Sequence, residues 1–310
     1  MGRFVARRLA EILPVLFIIV TLVFFLVRLA PGGPFDTEKS VPPEVLANLE
    51  SYYNLDLPLW RQYLMYLGQL FRGDLGPSFT NANFSVNELI GLGFPVSLEL
   101  GVYALAVALA IGLAAGVSAS LKPNSARDYV PMSLAMAGIC IPNFVLGPLL
   151  VLVFALWLGW LPAAGWDGPL YKILPAFTLG AAYAAYVARL TRGSMLEVLS
   201  QDFIRTARAK GLSEARVVLR HGLRGGIQPV VSFLGPAAAG LLSGSFVIET
   251  IFQIPGLGRF FVQAAFNRDY TMILGTVLFY AFLILVFNLT VDLIEAFLDP
   301  RIREEHRNHA

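Results

Sequence analysis

Residues 200–229 read SQDFIRTARAKGLSEARVVLRHGLRGGIQP, and their place between two hydrophobic runs decides how the chain is organised. A connection that only rejoins two membrane helices needs few residues. The stretch from Arg189 to Arg224 is far longer and holds eight of the 23 Lys and Arg of the chain. Ser200 can cap a first helix through its side-chain oxygen, with Gln201 and Asp202 in the first turn. Phe203, Ala207 and Lys210 then fall near one face, with Arg205 and Arg208 elsewhere. Gly211 is placed to end this helix as a left-handed residue. Ser213 is a ready cap for a second helix through Val217, Val218 and Leu219 to Arg224. Gly225-Gly226 and Pro229 separate that helix from the next hydrophobic run. The expectation is a helix, an elbow and a second helix feeding a membrane span, able to pass a push on its tip into the span. A solvated amphipathic surface helix would show the same charges.

The flanks define the class. Hydrophobic residues make up 56% of the 310, charged residues 14%, and mean hydropathy is +0.67. A soluble domain carries about a quarter charged residues. A membrane span needs about 20 mostly apolar residues. Six stretches qualify: 12–29, 98–121, 130–158, 173–190, 227–248 and 273–294. The fourth, with TLGAAYAAYVA, is rich in small residues and suits packing among helices. The N-terminus starts like a signal peptide, but its apolar run is long and no small-residue cleavage site follows, so it reads as a retained first helix. Placing the N-terminus, residues 122–128, the basic segment and the C-terminal tail on one side gives that side 16 Lys and Arg against 7. The positive-inside rule then makes both termini cytoplasmic. The fold class is an all-α polytopic membrane protein with six transmembrane helices. Cys140, the only cysteine, reads as a small core residue and excludes a disulfide framework.

On the outer side, residues 31–95 hold 7 acidic and 3 basic residues. Within them 43–53 and 58–71 read as short amphipathic helices. In the second, Trp60, Tyr63, Leu64, Leu67, Leu70 and Phe71 recur at helical spacing, fit to pack on the bundle, lie at the headgroups or dock a soluble partner. A shorter outer segment runs from Glu249 to Thr271. Pro255, Gly256 and Gly258 are expected to break any helix there, and Phe260 and Phe261 to pack back on the bundle. Glu249, at the end of the fifth span, should be paired or open to a water-filled vestibule. These four residues, Glu249, Pro255, Gly256 and Gly258, are the candidate outer gate. Small residues of the fifth span, Gly235, Ala237, Ala238, Ala239, Gly240, Ser243, Gly244 and Ser245, suit either a wide pathway or close helix packing. Ser243 and Ser245 are the polar candidates for lining.

Several chemistries lack their residues. The three His are His221, His306 and His309, none placed beside a membrane-embedded serine. No HExxH and no Cys/His cluster has metal-ligand spacing. The middles of the spans are nearly free of charge, which disfavours a proton relay. No GxxxxGK[ST] offers a nucleotide site. A membrane enzyme is therefore excluded. A passive channel or secondary carrier remains as an alternative to a subunit energised by a partner.

The segment FIRTARAKGLSEARVVLRHGLR resembles the cytoplasmic coupling segment of ABC importer permeases, in their peptide- and nickel-transport branch. Arg205, Thr206 and Ala207 stand where the broad family has EAA, and Gly211 where it has Gly. The absent Glu departs from the broad pattern but fits the RTARAKG form of the branch. IETIFQIPGLGRFFVQAAFNRDY, VDLIEAFLDPRIR, GDLGPSF and the N-terminal VARRLAEILPVLFIIVTLVFFLVRLAPGGPF resemble the same branch, so the likeness spans essentially the whole chain. It implies a type I importer permease fold: a first helix and outer loop in 1–94, a five-helix core in 95–300 with the coupling helix near 200–224, and a tail in 301–310. It implies that Asp202, Phe203, Arg205, Thr206, Ala207, Arg208, Lys210 and Gly211 couple to an ATPase. It further implies a homologous second permease subunit, two cytosolic ATPases carrying ATP and Mg, and a periplasmic or lipid-anchored binding protein delivering peptide. No cofactor in this chain and no nucleic-acid partner is implied. Nickel, glutathione and dipeptide are the alternative substrates.

Overall fold

The structure, a computed structural model, describes residues 2–30, 32–35, 42–81, 83–242 and 245–298. The described residues are helical, joined by turns, with one isolated bridge between Pro77 and Ser85. Four helices are individually long and apolar enough to cross a membrane: residues 10–29 of α1 (Gly2–Leu29), α4 (Val86–Leu121), α7 (Pro169–Leu199) and residues 270–290 of α14 (Tyr270–Leu298). Two bent pairs qualify when each is taken as one span, giving six.

The first pair corrects the expectation of one helix over 130–158. Helix α5 (Ala126–Cys140) stops at Ile141, and α6 (Asn143–Leu150) leaves at 111° before relaxing into π-helical turns at Val151–Trp157. Pro142 is the cause: a proline disfavours helical torsions at the residue before it, and Ile141 is extended, with φ −87° and ψ 115°. Cys140, at the break, is exposed rather than in the core.

Two compact units divide the chain. The first comprises residues 1–96 and 255–285, the second 97–254 and 286–310. In the first, both outer amphipathic helices form close to their expected limits, as α2 (Pro43–Tyr52) and α3 (Leu59–Leu70), started by Pro42-Pro43 and Pro58. The α3 stripe divides. Tyr63, Leu67 and Leu70 pack with Val20 and Phe24 of α1, whereas Trp60, Leu64 and Phe71 are exposed. Gln62 on the packed side accepts from Arg28 Nε at 3.0 Å and donates to the Leu55 and Leu57 carbonyls. The start of α4 is fixed by a reciprocal cap: Ser85 N donates to Glu88 Oε2 at 2.8 Å, and Glu88 N returns to Ser85 Oγ at 3.3 Å.

GDLGPSF and NRDY, far apart in sequence, meet in this unit at Asp269. The buried carboxylate accepts from Ser78 Oγ (2.6 Å), Thr80 N (3.0 Å), Thr271 Oγ1 (3.0 Å) and Met272 N (3.1 Å). Four donors satisfy it and cap α14 at once. Gly258 does not break a helix, contrary to expectation. Pro255 and Gly256 do, and Gly256 precedes α13 (Leu257–Phe266), where Gly258 is a buried first-turn residue. Phe260 packs, as expected, against the Val86–Leu89–Leu257 cluster.

The second unit is built on α7. Glycines bring its backbone close to α4: a Cβ on Gly180 would lie 2.6 Å from the Ala104 carbonyl, and one on Gly116 2.6 Å from the Ala188 carbonyl. The order of these contacts makes α4 and α7 run in the same direction. Helix α5 runs opposite to α7, since Gly138 faces Ala181 and Asp128 binds Arg192. Helix α11 (Gln228–Leu242) also opposes α7, with Gly240 near Tyr183 and Gly226 near Met195. These directions are those of successive spans crossing alternately.

Ion pairs hold both ends of the α4–α7 region. At one end Lys172 bonds Glu99, which also accepts from Trp166 Nε1 at 3.2 Å. At the other, Arg192 grips Asp128 in a fork at 2.5 and 2.7 Å, and Asn124 N adds a third bond at 3.0 Å. The fork leaves Asp128 only 2% exposed.

Candidate functional site

The apolar run of the fourth span ends near residue 190, but α7 continues to Leu199. Ser200 closes this helix, its Oγ donating to the Glu197 carbonyl at 2.7 Å. It therefore does not cap the next helix, as expected from sequence; Gln201 holds that position, with extended torsions. Helix α8 (Asp202–Ala209) follows, and Lys210 ends it.

Gly211 has φ +77°, the left-handed residue expected there, and no atom lies within 4 Å of where a Cβ would stand. Ser213 then precedes α9 (Glu214–Arg216) in the expected capping position, though without a side-chain bond. The helix continues as π-helical turns over Val217–Gly222 and as α10 (Leu223–Gly226), then bends 54° into α11.

Two interactions close the elbow. Ile204, Ala207 and Val217 form a small core, backed by Leu199 and Leu212. Arg208 forks onto Glu214 across the turn at 3.1 and 2.6 Å. That carboxylate holds the Arg208 guanidinium above its ordinary pKa, because it favours the charged form. Sequence reasoning missed this closure; the opposite charges of Arg208 and Glu214 flanking Gly211 were the available signal.

The expected grouping of Phe203, Ala207 and Lys210 on one face does not hold. Ala207 turns inward with Ile204, while Phe203 is 47% exposed. Asp202, Phe203, Arg205, Thr206, Arg208, Lys210 and Gly211 are exposed, so of the eight candidate coupling residues Ala207 alone is buried. Gly211 sets the elbow. Arg205 and Asp202 form an exposed pair at 3.2 Å, and Thr206 Oγ1 returns to the Asp202 carbonyl at 3.0 Å.

The elbow is seated on the end of α7. Ser194 Oγ donates to the Gly226 carbonyl. Cβ atoms on Gly222 and Gly225 would stand 3.1 and 3.2 Å from Leu199 Cδ2 and Val198 Cγ2.

The other candidates are dispersed. Glu249 lies in α12 (Phe246–Ile251), fully buried, so it is not open to a vestibule. Ser245 caps α12 by accepting from Ile248 N at 3.4 Å, and Ser243 lies outside the described residues. Gly235, Ala237 and Ala239 are buried, which favours packing over lining for these positions. Among the described residues no group of His, Cys, Asp and Glu is arranged to hold a metal.

Alternating apolar helices long enough to cross a membrane, with an exposed helix and elbow between two of them, define a polytopic membrane protein. The chain belongs to the family of binding-protein-dependent transport system inner membrane components, which residues 83–304 match, while residues 1–100 match the N-terminal membrane component of such systems. It is 51% identical over 305 residues to the oligopeptide transport system permease protein OppB of Haemophilus influenzae, covering 98% of this chain and 100% of that one. Against OppB of Escherichia coli the identity is 50% over the same length and coverage. The dipeptide transport system permease protein DppB of Bacillus subtilis is 46% identical over 303 residues, 98% of each chain. Among solved structures, the inward-facing methionine ABC transporter MetNI shares the fold, with a TM-score of 0.56, 18% identity and coverage of 68% of this chain and 96% of that chain. An amino acid ABC transporter with histidines gives 0.52, 19%, 67% and 94%.

Proposed function

We propose that this chain forms half of the translocation pathway of an ATP-driven oligopeptide importer. The carrying observation is the outward surface of α8, held at a fixed angle by Gly211 and the Ile204–Ala207–Val217 core. A surface helix of this kind needs a partner to act on it. In this reading a cytosolic ATPase receives Asp202, Phe203, Arg205, Thr206, Arg208 and Lys210 in a groove. Two ATPases bind ATP and Mg, a homologous permease supplies the other half of the pathway, and a periplasmic or lipid-anchored protein delivers the peptide. This chain binds no cofactor of its own and performs no chemistry. ATP binding closes the ATPases, α8 moves with them, and α7 and α11 open the pathway outward. Outer gating is assigned to Glu249 and to Pro255, Gly256 and Gly258.

Full-length similarity to OppB proteins supports oligopeptides as the substrate. The likeness to a DppB protein favours dipeptides as the second reading. The test is uptake of labelled tripeptide into proteoliposomes holding the whole complex and its binding protein. Uptake must require ATP inside the compartment that holds the ATPases. Uptake that persists without ATP would identify a passive channel or secondary carrier instead.

A further inference from the structure

The two sides of α7 differ in chemistry. Leu170, Ile173 and Phe177 are exposed and apolar, as suits lipid. Tyr186 lies nine residues beyond Phe177, about two and a half turns at 3.6 residues per turn, and so on the opposite side. There Tyr183 and Tyr186 both approach Phe233 of α11, with ring centroids 6.4 and 5.8 Å away. Arg189, one turn further, lies over the Tyr186 ring at 5.8 Å and donates to Met136 Sδ at 3.2 Å.

Among the described residues Arg189 has no carboxylate partner, whereas its neighbour Arg192 is locked to Asp128. Arg189 stands where the apolar run of the fourth span ends, toward the side read as cytoplasmic, and both it and Tyr186 are exposed, so the guanidinium is open to water. A guanidinium held by a ring face and a thioether keeps its hydrogen-bonding edge for an anion, and its fork matches a carboxylate. The adjoining rings offer flat apolar faces that accept side chains with little regard to sequence.

We propose that Arg189, with Tyr183, Tyr186 and Phe233, is a passage site that takes the free C-terminal carboxylate of the transported peptide. This rests on the oligopeptide reading above. Every linear peptide carries that carboxylate whatever its sequence, so the site combines one fixed anchor with tolerant walls.

The test compares trialanine with its C-terminal amide as substrates of the complete complex in proteoliposomes, measuring kcat/KM for ATP-driven uptake. Any preference of the binding protein is common to all permease variants and cancels in the comparison. In Arg189→Gln the acid-to-amide ratio is expected to fall about tenfold from the wild-type value, the scale of one hydrogen bond to a charged group. Arg189→Lys should keep part of the preference. Tyr186→Leu, which removes the ring under the guanidinium, should lower the ratio in the same direction and serves if the Gln variant does not assemble. An unchanged ratio overturns the proposal, including the case in which both peptides slow equally. A defect that follows the anionic lipid content of the vesicles rather than the peptide terminus overturns it in favour of a headgroup phosphate. If the wild-type complex imports neither peptide, the substrate reading itself fails; a wild type that imports both, with an insensitive ratio, defeats only the passage site.

Discussion

Gly211 offers a clean perturbation because only its backbone is constrained. With φ at +77° and no atom within 4 Å of the Cβ position, a side chain there meets no clash. The cost of substitution is the left-handed conformation itself, about 1–2 kcal/mol for a residue with a Cβ. Asn tolerates this region best after Gly, and β-branched residues least. Against this cost stand the interactions that need the elbow. Burying a side chain such as Ile204 contributes about 1.5–3 kcal/mol, and an exposed pair such as Arg208–Glu214 about 0.2–1 kcal/mol. The closed elbow should therefore survive Gly211→Asn and weaken progressively in Gly211→Ala and Gly211→Val, whose β-branch adds to the left-handed cost. Each 1.4 kcal/mol changes the closed-to-open ratio tenfold, so the three variants should order clearly. The assay is ATP-driven peptide uptake beside membrane content of the assembled complex. Gly211→Val should insert normally yet lose coupling, with Gly211→Asn near wild type. Normal uptake by Gly211→Val, or equal loss in the Asn and Val variants, would refute the reasoning.

Three further outcomes are expected. In a background lacking Cys140, a cysteine at Asn81 should react with an impermeant thiol reagent outside spheroplasts, and one at Ser213 only after permeabilisation; the reverse would invert the topology. Asp128→Asn should lower the melting temperature of the purified complex, since it removes the charge gripped by Arg192; an unchanged melting profile would mean that the fork contributes nothing. Glu249→Gln and Gly256→Ala should leave the complex assembled but alter uptake, or release ATP hydrolysis from control by loaded binding protein. Wild-type transport in both, or failure of both to accumulate in the membrane, would reject the outer gate.

The legible parts of the fold were those fixed by local chemistry. Gly211 is one, since few residues other than Gly accept φ +77°. The limits of α2 and α3 are others, because Pro42-Pro43 and Pro58 start them. Hydropathy alone misled where it ran smoothly through a backbone signal: the apolar stretch 130–158 conceals the break at Ile141-Pro142. It also stopped short of the end of the helix, because residues 190–199 are amphipathic rather than apolar yet continue α7. Pairings across long separations were not legible. Asp128 with Arg192, and Asp269 with Ser78 and Thr80, are set by helix directions that no local pattern encodes. On α8, charge made the whole surface look available, and only packing showed that Ala207 belongs with Ile204.

The seat of the elbow bears on how a push at α8 would travel. A surface helix joined to the membrane by a loose tether would dissipate displacement in the tether. Here α8 shares a core with Val217, the following helix lies against α7 at Gly222 and Gly225, and Ser194 ties α7 to the Gly226 carbonyl. A Cβ on Gly226 would stand 2.5 Å from Met195 Sδ, so little slack remains at this contact. Close-packed groups of this kind move as a body rather than deform. The first break in the regular helix beyond them is the 54° bend between Gly226 and Gln228. Motion of α8 would thus reach α7 by direct contact and α11 through a single bend. That difference makes the bend, rather than the elbow, the place where the two helices can part. On this reading strain at Gly211 should uncouple the subunit without unfolding it: the elbow would transmit the displacement, while the helices themselves are held by the α4–α7 contacts and the Asp128–Arg192 fork.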